Sequence, residues 1–396
     1  MSGTAWELVD LAARWVHVIA SIMWVGNSLL FNWLDRNLRP SKDAAPGSLG
    51  EIWLLHSGAF YYVDKTLLGG RALPRPLHWF VVQAMTTWGS GVALLIAVYW
   101  AGGRAAMTDP GVASLSHNRA VIVGIAAIVV GSALYDSMQR LVAPRAPRAA
   151  AIVWVTGLTA ISIALTQLLS GRAAFLHVGA MLGTIMAMNV AHTIMPSQRQ
   201  LVASIGEGGI ADPAVSARAK RVSIHNNYLV FPVIALMASS HFPAVYANRL
   251  SWLLLLIIVA GGAAVRHVLN TRYTTRTWPA VLTATMIAGV AGLYAVMRLG
   301  AASPIPVTAD SSAPVTFAEV RSVIDRRCTA CHSAHPSDLT FGAVPGGVRF
   351  DTPDEIESRV ARIYDRAVAT RTMPPANKTA MTEAERDLLR RWATQR

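Results

Sequence analysis

Residues 150–196 read AAIVWVTGLTAISIALTQLLSGRAAFLHVGAMLGTIMAMNVAHTIMP. The segment contains two long apolar runs, and only Ser170-Gly171-Arg172 interrupts them. A helix needs about 20 apolar residues to cross the hydrocarbon layer of a membrane, because each residue adds about 1.5 Å to its length. The segment therefore predicts two membrane-spanning helices joined by a tight turn.

The same pattern recurs along most of the chain, and it predicts eight spans. They are residues 10–31, 78–101, 119–139, 150–170, 172–196, 226–243, 250–270 and 279–298. The segment Ile52–Leu68 is too interrupted to span, and its aromatic side chains favour an interfacial position. Glu7 and Asp10, rather than a basic cluster, precede the first apolar run. That run is therefore predicted to be a retained helix and not a secretory signal.

The composition excludes an ordinary soluble enzyme, since 53% of the 396 residues are hydrophobic and only 14% are charged. The net charge of +13 lies in short loops between apolar runs, so we expect no nucleic-acid partner and a lipid bilayer instead. Loops after the first, third, fifth and seventh spans hold Arg36, Arg39, Lys42, Lys65, Arg71, Arg75, Arg140, Arg145, Arg148, Arg199, Arg218, Lys220, Arg221, Arg272 and Arg276. The opposite loops hold little beyond Arg104, Arg119, Arg172 and Arg249. By the positive-inside rule the first set is cytoplasmic, which places both termini outside.

The polarity of the chain changes after residue 298. Residues 299–313 are rich in Pro and Ser, and they predict a linker between a membrane domain at 1–298 and a small domain at 314–396. Helical patterns occur in the small domain at Thr316–Arg327 and Glu355–Thr370. Its last helix is predicted to start at the capping sequence Thr382-Glu383-Ala384-Glu385 and to run to Trp392.

The only two cysteines lie in Cys328-Thr329-Ala330-Cys331-His332. This C-x-x-C-H pattern is typical of covalent haem attachment, because two thiols can bond the porphyrin while the next imidazole binds the iron. A zinc site would need further Cys or His ligands, and a thioredoxin-like pair would need a strand–helix context. The motif therefore predicts one haem c with His332 as its proximal ligand.

A stiff loop, Arg371-Thr372-Met373-Pro374-Pro375, is predicted to present the second axial ligand, Met373. Met381 is the competing methionine. The predicted fold is accordingly all-α: a polytopic membrane bundle of about eight transmembrane helices followed by a small class I cytochrome c domain. Bacteria attach haem c outside the cytoplasmic membrane, in agreement with the side that the basic loops assign to the carboxyl terminus.

Histidines at membrane depth are candidates for function, because ionisable groups are costly there. On the predicted topology His17, His177 and His241 lie toward the outer side, and they are the candidate catalytic residues. The inner set consists of His78, His192, His225 and His267. Such imidazoles could bind haem b or a metal, or hydrogen-bond a polar substrate. Histidines near helix ends are also often only interfacial or bonded to backbone carbonyls.

Several separated segments resemble the bacterial membrane-bound, cytochrome-c-linked urate oxidases. They are Trp15–Ala20 with Trp24–Gly26, His56–Tyr61, Leu77–Phe80 with Thr87-Trp88, Gly183–Met186 with Asn189, and His225–Tyr228 through Pro232 to His241. Downstream, Phe350–Pro353, Thr372–Pro374, Asn377–Thr379 and Met381–Glu383 also resemble that family's cytochrome domain. The resemblance covers nearly the whole chain.

The resemblance implies an enzyme of the bacterial inner membrane, with the cytochrome domain on the periplasmic side. It would oxidise urate to 5-hydroxyisourate with oxygen from water and form no peroxide. Electrons would pass through haem c to a downstream respiratory cytochrome or terminal oxidase.

Two other interpretations remain open at this point. The spacing of His17 and Trp24-Val25-Gly26 also resembles copper-resistance and haem-biosynthesis membrane proteins, which would imply a haem-b or copper protein with a cytochrome appendage. A purine transporter fused to an electron-transfer domain is the other. Urate turnover distinguishes the enzyme from both.

Overall fold

The computed structural model describes residues 3–40, 47–67, 72–101, 104–209, 212–300, 314–338 and 344–395. Within these ranges, eight helices are long and apolar enough to cross a membrane, as predicted. They are Leu8–Asn37, Val81–Trp100, His117–Val142, Pro147–Leu168, Gly171–Gly206, Pro213–His241, Ser251–Thr271 and Trp278–Leu299. Most of the predicted linker, residues 301–313, lies outside the described residues.

The elements of the bundle are numbered in chain order. They are α1 (Gly3–Asn37), β1 (Ser48–His56), β2 (Ala59–Thr66), α2 (Val81–Leu94), α3 (Arg104–Met107), α4 (His117–Ser137), α5 (Pro147–Leu168), α6 (Gly171–Asn189), α7 (Met195–Gly206), α8 (Pro213–Ala238), α9 (Pro243–Tyr246), α10 (Ser251–Thr271) and α11 (Trp278–Leu299). Turns of π-helix extend α2 through Leu95–Trp100 and α4 through Met138–Val142, and another joins α6 to α7 through Val190–Ile194.

Helix α6 forms the centre of the bundle. It packs against α2, α4, α5 and α8. Over the most apolar 18 residues of the span Gly171–Gly206, 67% of the residues are buried, against 6% in the spans of α1 and α11. The outer helices expose large apolar side chains such as Trp15, Ile22 and Ile287. In water that surface would be strongly unfavourable, whereas a lipid environment accommodates it.

The predicted tight turn between the fourth and fifth spans is present. Helix α5 ends at Leu168 and α6 begins at Gly171. Ser170 caps α6, because its hydroxyl accepts a hydrogen bond from the amide of Ala173 at 3.2 Å. The same hydroxyl donates to the carbonyl of Ala106 in α3 at 2.9 Å, so this turn also positions α3.

One expectation needs correction, because the bundle is not purely helical. Strands β1 and β2 form an antiparallel hairpin in the segment expected only to lie at the interface. Ser57 and Gly58 make its turn with φ values of 54° and 77°, as a two-residue hairpin loop requires. Trp53 faces Tyr62 across the strands with ring centroids 4.9 Å apart. Aromatic residues favour strands, and such cross-strand pairs stabilise them.

The residues after the linker form a second apolar core, which includes Val320, Ile324, Leu389 and Trp392. The helices are α12 (Phe317–Arg327), α13 (Pro353–Glu357), α14 (Val360–Ile363), which continues as a π-helical segment at Tyr364–Ala369, and α15 (Glu383–Thr394). Capping boxes start α12, α13 and α15, the last at Thr382 and Glu385 as predicted. The pattern at Glu355–Thr370 is not one helix, because Arg359 leaves helical geometry.

Candidate functional site

The end of α12 positions the C-x-x-C-H motif. In the tight turn that follows it, the amides of Cys331 and His332 both donate to the carbonyl of Cys328, at 3.1 and 2.9 Å. Burial raises the pKa of the Cys328 thiol to about 12 and also raises the pKa of Cys331. Both sulfurs are therefore protonated thiols at neutral pH. The turn presents two thiols and an imidazole within five residues.

His332 is held by one of its two ring nitrogens. Its Nδ1 lies 2.9 Å from the carbonyl oxygen of Val348, so Nδ1 carries the proton and Nε2 retains its lone pair. The ring of Phe350 packs edge-on at 5.4 Å between centroids. Burial lowers the pKa of His332 despite the hydrogen bond to Val348. A neutral imidazole with a fixed tautomer is the form that binds a metal.

The loop that carries Met373 is held at both of its peptide groups. The amide of Met373 donates to the carbonyl of Arg366 at 2.9 Å, and its carbonyl accepts from Nη1 of the buried Arg386 at 3.0 Å. The competing methionine, Met381, is buried in the apolar core of the same domain. Met373 is half-buried on a fixed loop, so it remains the candidate axial ligand.

These side chains suit a haem better than a single ion. Among the described residues, no group of three or more His, Cys, Asp or Glu side chains could hold a metal ion. Cys328, Cys331 and His332 therefore lack the further ligands that zinc needs. Two thiols on one turn, an imidazole whose Nε2 is engaged by none of the described residues and a thioether on a separate loop are the groups that a c-type haem uses.

His177 is fully buried on α6, and both of its ring nitrogens have partners. Nδ1 lies 2.8 Å from the carbonyl of Ala173, and Nε2 accepts a hydrogen bond from Nε1 of Trp100 at 3.1 Å. The ring of Tyr99 packs edge-on at 5.9 Å. The sequence made His177 a catalytic candidate. Both ring nitrogens are therefore engaged by the described residues, and the hydrogen bond from Trp100 links α6 to the end of α2.

His17 joins α1 to α2 through one nitrogen only. Its Nδ1 lies 2.9 Å from the carbonyl of Thr87 and 3.1 Å from the hydroxyl of Ser90. The ring lies over Gly91, where an added Cβ would stand 3.0 Å from the Cε1 of His17. The carbonyl fixes the proton on Nδ1, and no hydrogen bond among the described residues engages Nε2. His17 therefore retains an acceptor nitrogen.

The third candidate, His241, ends the turn Ser239–His241 that follows α8, and its side chain is exposed. No hydrogen bond in the described part of the chain links it to His17 or His177. The described contacts therefore do not bring the three histidines into one site.

Toward the loops rich in basic residues, the bundle contains a network of buried polar side chains. The hydroxyl of Tyr135 lies 2.8 Å from Nδ1 of His225 and accepts from Nδ2 of Asn189 at 3.1 Å. Nδ2 of Asn189 also donates to Oδ1 of Asn226 at 2.8 Å, and Asn226 donates to the carbonyl of Met186 at 3.0 Å. This network ties α4, α6 and α8 together.

A second polar group joins α8 to α10. Oδ1 of Asn227 accepts from Nε of Arg266 at 2.7 Å and from Nδ2 of Asn270 at 3.0 Å. The guanidinium of Arg266 also lies 5.6 Å from the ring centroid of Phe231. Sequence reasoning missed Arg266 and Asn270. The signal was available, because the two are four residues apart at the polar end of a mostly apolar span.

The carboxyl-terminal residues pack against the end of the bundle that has few basic residues. The turn Pro375–Asn377, which follows Met373 closely, contacts α3. Arg366, whose carbonyl holds Met373, hydrogen-bonds the side chain of Tyr246 in α9. Burial raises the pKa of Tyr246, although Arg172 and Arg366 act against it. The bundle thus meets the carboxyl-terminal residues next to the loop of Met373.

A comparison with protein families identifies the bundle. The family described as Urate oxidase N-terminal matches residues 3–298. The chain belongs to the Urate oxidase N-terminal family. The matched region ends before Cys328, so the family assignment covers the bundle, while the C-x-x-C-H motif stands on its own chemistry. No curated protein and no solved structure matches the chain.

Proposed function

We propose that this member of the Urate oxidase N-terminal family is a membrane urate oxidase that delivers its electrons to a covalently bound haem c. The family match over the whole bundle carries the proposal. The unengaged Nε2 of His332 and the fixed loop of Met373 support its electron-transfer half.

The proposed reaction converts urate and water to 5-hydroxyisourate, two protons and two electrons. The new oxygen atom comes from water, so no peroxide is formed. The electrons leave the substrate one at a time. The acceptors beyond the protein would be a respiratory cytochrome or a terminal oxidase.

The chain offers four side chains to hold the haem. Cys328 and Cys331 would form the thioether bonds, while Nε2 of His332 and the sulfur of Met373 would bind the iron. Bound there, haem c would supply a one-electron acceptor of raised potential, since Met/His ligation raises the potential relative to His alone.

Within the bundle, the half-buried His17 is better placed than the buried His177 to take a substrate proton. Its Nδ1 is bonded to the carbonyl of Thr87, which leaves Nε2 as a base. His177 instead holds Trp100 in place through its own Nε2. We therefore propose His17 as a proton acceptor and His177 as a positioning residue.

The proposed location is the bacterial inner membrane, with the haem-bearing domain on the periplasmic side. Two independent features support this orientation. The carboxyl-terminal residues contact α3 and α9, which belong to loops with few basic residues, and those loops face outward by the positive-inside rule. Covalent haem attachment in bacteria takes place in that same compartment.

The test is anaerobic addition of urate to membranes that contain the oxidised protein, followed at the α-band of reduced haem c. Urate should reduce the haem in the wild-type chain and in the matched control Thr329→Ser, but no such signal should appear in Cys328→Ser. A haem that dithionite reduces and urate does not would contradict the proposal. Uptake of labelled urate without haem reduction would favour the transporter interpretation.

A further inference from the structure

Arg266 has an unusual environment for a buried cation. Its side chain lies in α10 and is only 6% exposed, yet the charged and ionisable groups that act on it are Arg272, Tyr228 and Tyr273, none of them a carboxylate. Buried charges in proteins are normally paired. Among the described residues, the charge of Arg266 therefore has no carboxylate to balance it.

Two buried polar atoms of this region also have no hydrogen-bond partner within the described ranges. One is Nη2 of Arg266, which is a hydrogen-bond donor, and the other is Oδ1 of Asn270, which is an acceptor. Buried polar groups are nearly always hydrogen-bonded, so each exception needs an explanation. The guanidinium of Arg266 and the amide of Asn270 can therefore each make one further hydrogen bond to a ligand.

The two unpartnered atoms belong to one site, because a single atom holds both side chains. Oδ1 of Asn227 binds Nε of Arg266 at 2.7 Å and Nδ2 of Asn270 at 3.0 Å. Asn227 therefore holds the side chain with the unpartnered donor and the side chain with the unpartnered acceptor at one atom, and this restricts the movement of both. The ring of Phe231 covers the guanidinium and supports its orientation.

We propose that Arg266, Asn270 and Asn227 form a binding site for a planar anion that carries a carbonyl next to a ring N–H, the lactam edge of an oxidised purine. Nη2 of Arg266 would donate to the carbonyl, and the ring N–H would donate to Oδ1 of Asn270. The positive charge of Arg266 would offset the charge of the anion. Urate has these features, and naming it as the occupant rests on the proposed function.

The site is distinct from the place where the electrons would leave. Arg266 lies 15 residues along α10 from Ser251, the first residue of that helix. At 1.5 Å per residue this is roughly 22 Å from the end of the bundle where the carboxyl-terminal residues pack. We therefore assign to it the reception of substrate from the side of the basic loops, ahead of oxidation nearer the opposite end.

The test measures equilibrium binding of radiolabelled urate to the purified full-length protein in detergent, kept reduced with dithionite so that no turnover occurs. Arg266→Gln should weaken binding on the order of 100-fold, because it removes a charged hydrogen bond. Asn270→Asp should fold at least as well, since it gives Arg266 an internal counter-ion, and it should weaken binding to a similar extent. Arg272→Gln, the matched loss of a nearby charge, should stay within about twofold of wild type.

Unchanged binding in both Arg266→Gln and Asn270→Asp, or an equal loss in Arg272→Gln, would overturn the proposal. The wild type is also titrated with xanthine and with inorganic phosphate. If xanthine binds in an Arg266-dependent way and urate does not, the site is supported and urate is rejected as its substrate. If urate binds in an Arg266-dependent way but does not reduce the haem, the site is supported and the proposed function is rejected. Binding of phosphate alone, as for a lipid headgroup, or of none of the three would reject the site.

Discussion

The turn after α12 and the middle of α6 each hold a histidine, but they hold it in different ways. His332 has Nδ1 bonded to the carbonyl of Val348, and its Nε2 has no described partner. His177 has Nδ1 bonded to the carbonyl of Ala173 and Nε2 bonded to Trp100. The first imidazole keeps a lone pair for chemistry, whereas the second uses both nitrogens to fix its neighbours.

The two histidines differ in the availability of a ring nitrogen, and this difference does not follow from their burial. His177 is the more deeply buried of the two, yet it has no free nitrogen. His17 resembles His332, because a backbone carbonyl holds its Nδ1 and leaves Nε2 as an acceptor. This difference in the free ring nitrogen is the ground on which the proposed function gives His17 a proton to accept and His177 a positioning role.

The largest effect is expected from removal of the free nitrogen in the carboxyl-terminal domain. His332→Ala should abolish urate-dependent electron output completely, because the haem iron would lose its proximal ligand. His335→Ala is the matched control, since that imidazole is exposed and lies three residues away. The measurement is anaerobic reduction of an added cytochrome by urate. Urate-dependent reduction of the added cytochrome by His332→Ala would show that the unpartnered Nε2 does not mark His332 as a haem ligand.

A smaller loss is expected from His17→Asn, which tests whether His17 belongs with His332. The asparagine amide can still donate to the carbonyl of Thr87, but it offers no base in place of Nε2. Turnover should fall by about 10²- to 10⁴-fold, the usual contribution of general base catalysis, while the haem spectrum stays unchanged. Steady-state urate consumption gives the rate. A rate within threefold of wild type would make His17 structural as well.

Gly124→Ala sharpens the structural assignment of His177. An added Cβ at Gly124 would lie 2.6 Å from Cδ2 and Nε2 of His177, so the ring must move away from Trp100. We expect the variant to lose about 1–3 kcal/mol of stability, the usual range for overpacking a core. Unfolding of the solubilised bundle by added detergent measures this loss. Gly289→Ala, where nothing lies within 4 Å of the new Cβ, should unfold like wild type.

The smallest expected effect is on the stability of the carboxyl-terminal domain, which contains His332 and has only a small apolar core. Thr382 caps α15 and shares a capping box with Glu385. Thr382→Ala should cost about 1 kcal/mol in the unfolding of the carboxyl-terminal domain, as loss of an N-cap usually does. Thr394→Ala removes a hydroxyl from the other end of the same helix and should be nearly neutral. Equal melting of the two variants would show that the cap contributes nothing.

Local sequence patterns predict the helical framework of this chain well. The eight spans follow from runs of apolar residues, and the start of α15 follows from Thr382 and Glu385. The hairpin was missed because the aromatic residues around Trp53 were assigned to the membrane interface, although Ser57-Gly58 is a common hairpin turn.

Roles that depend on contacts between distant residues could not be predicted. Trp100 is 77 positions from His177, so the sequence gives no sign that Nε2 of His177 is occupied. The same limit applies to Arg266, whose unusual feature is that no described residue hydrogen-bonds Nη2, rather than its position in the chain. Which nitrogen of an imidazole is free is a property of the packed helices.

The central position of α6 also has a consequence for biosynthesis. This helix leaves the ribosome before α8, which supplies Asn226, the partner of Asn189. Until α8 enters the membrane, the amide of Asn189 has its partner Tyr135 in α4 but lacks Asn226. Packing of the fifth span should therefore be incomplete until the sixth arrives, and a chain truncated between them should be recognised by quality-control proteases as incompletely assembled.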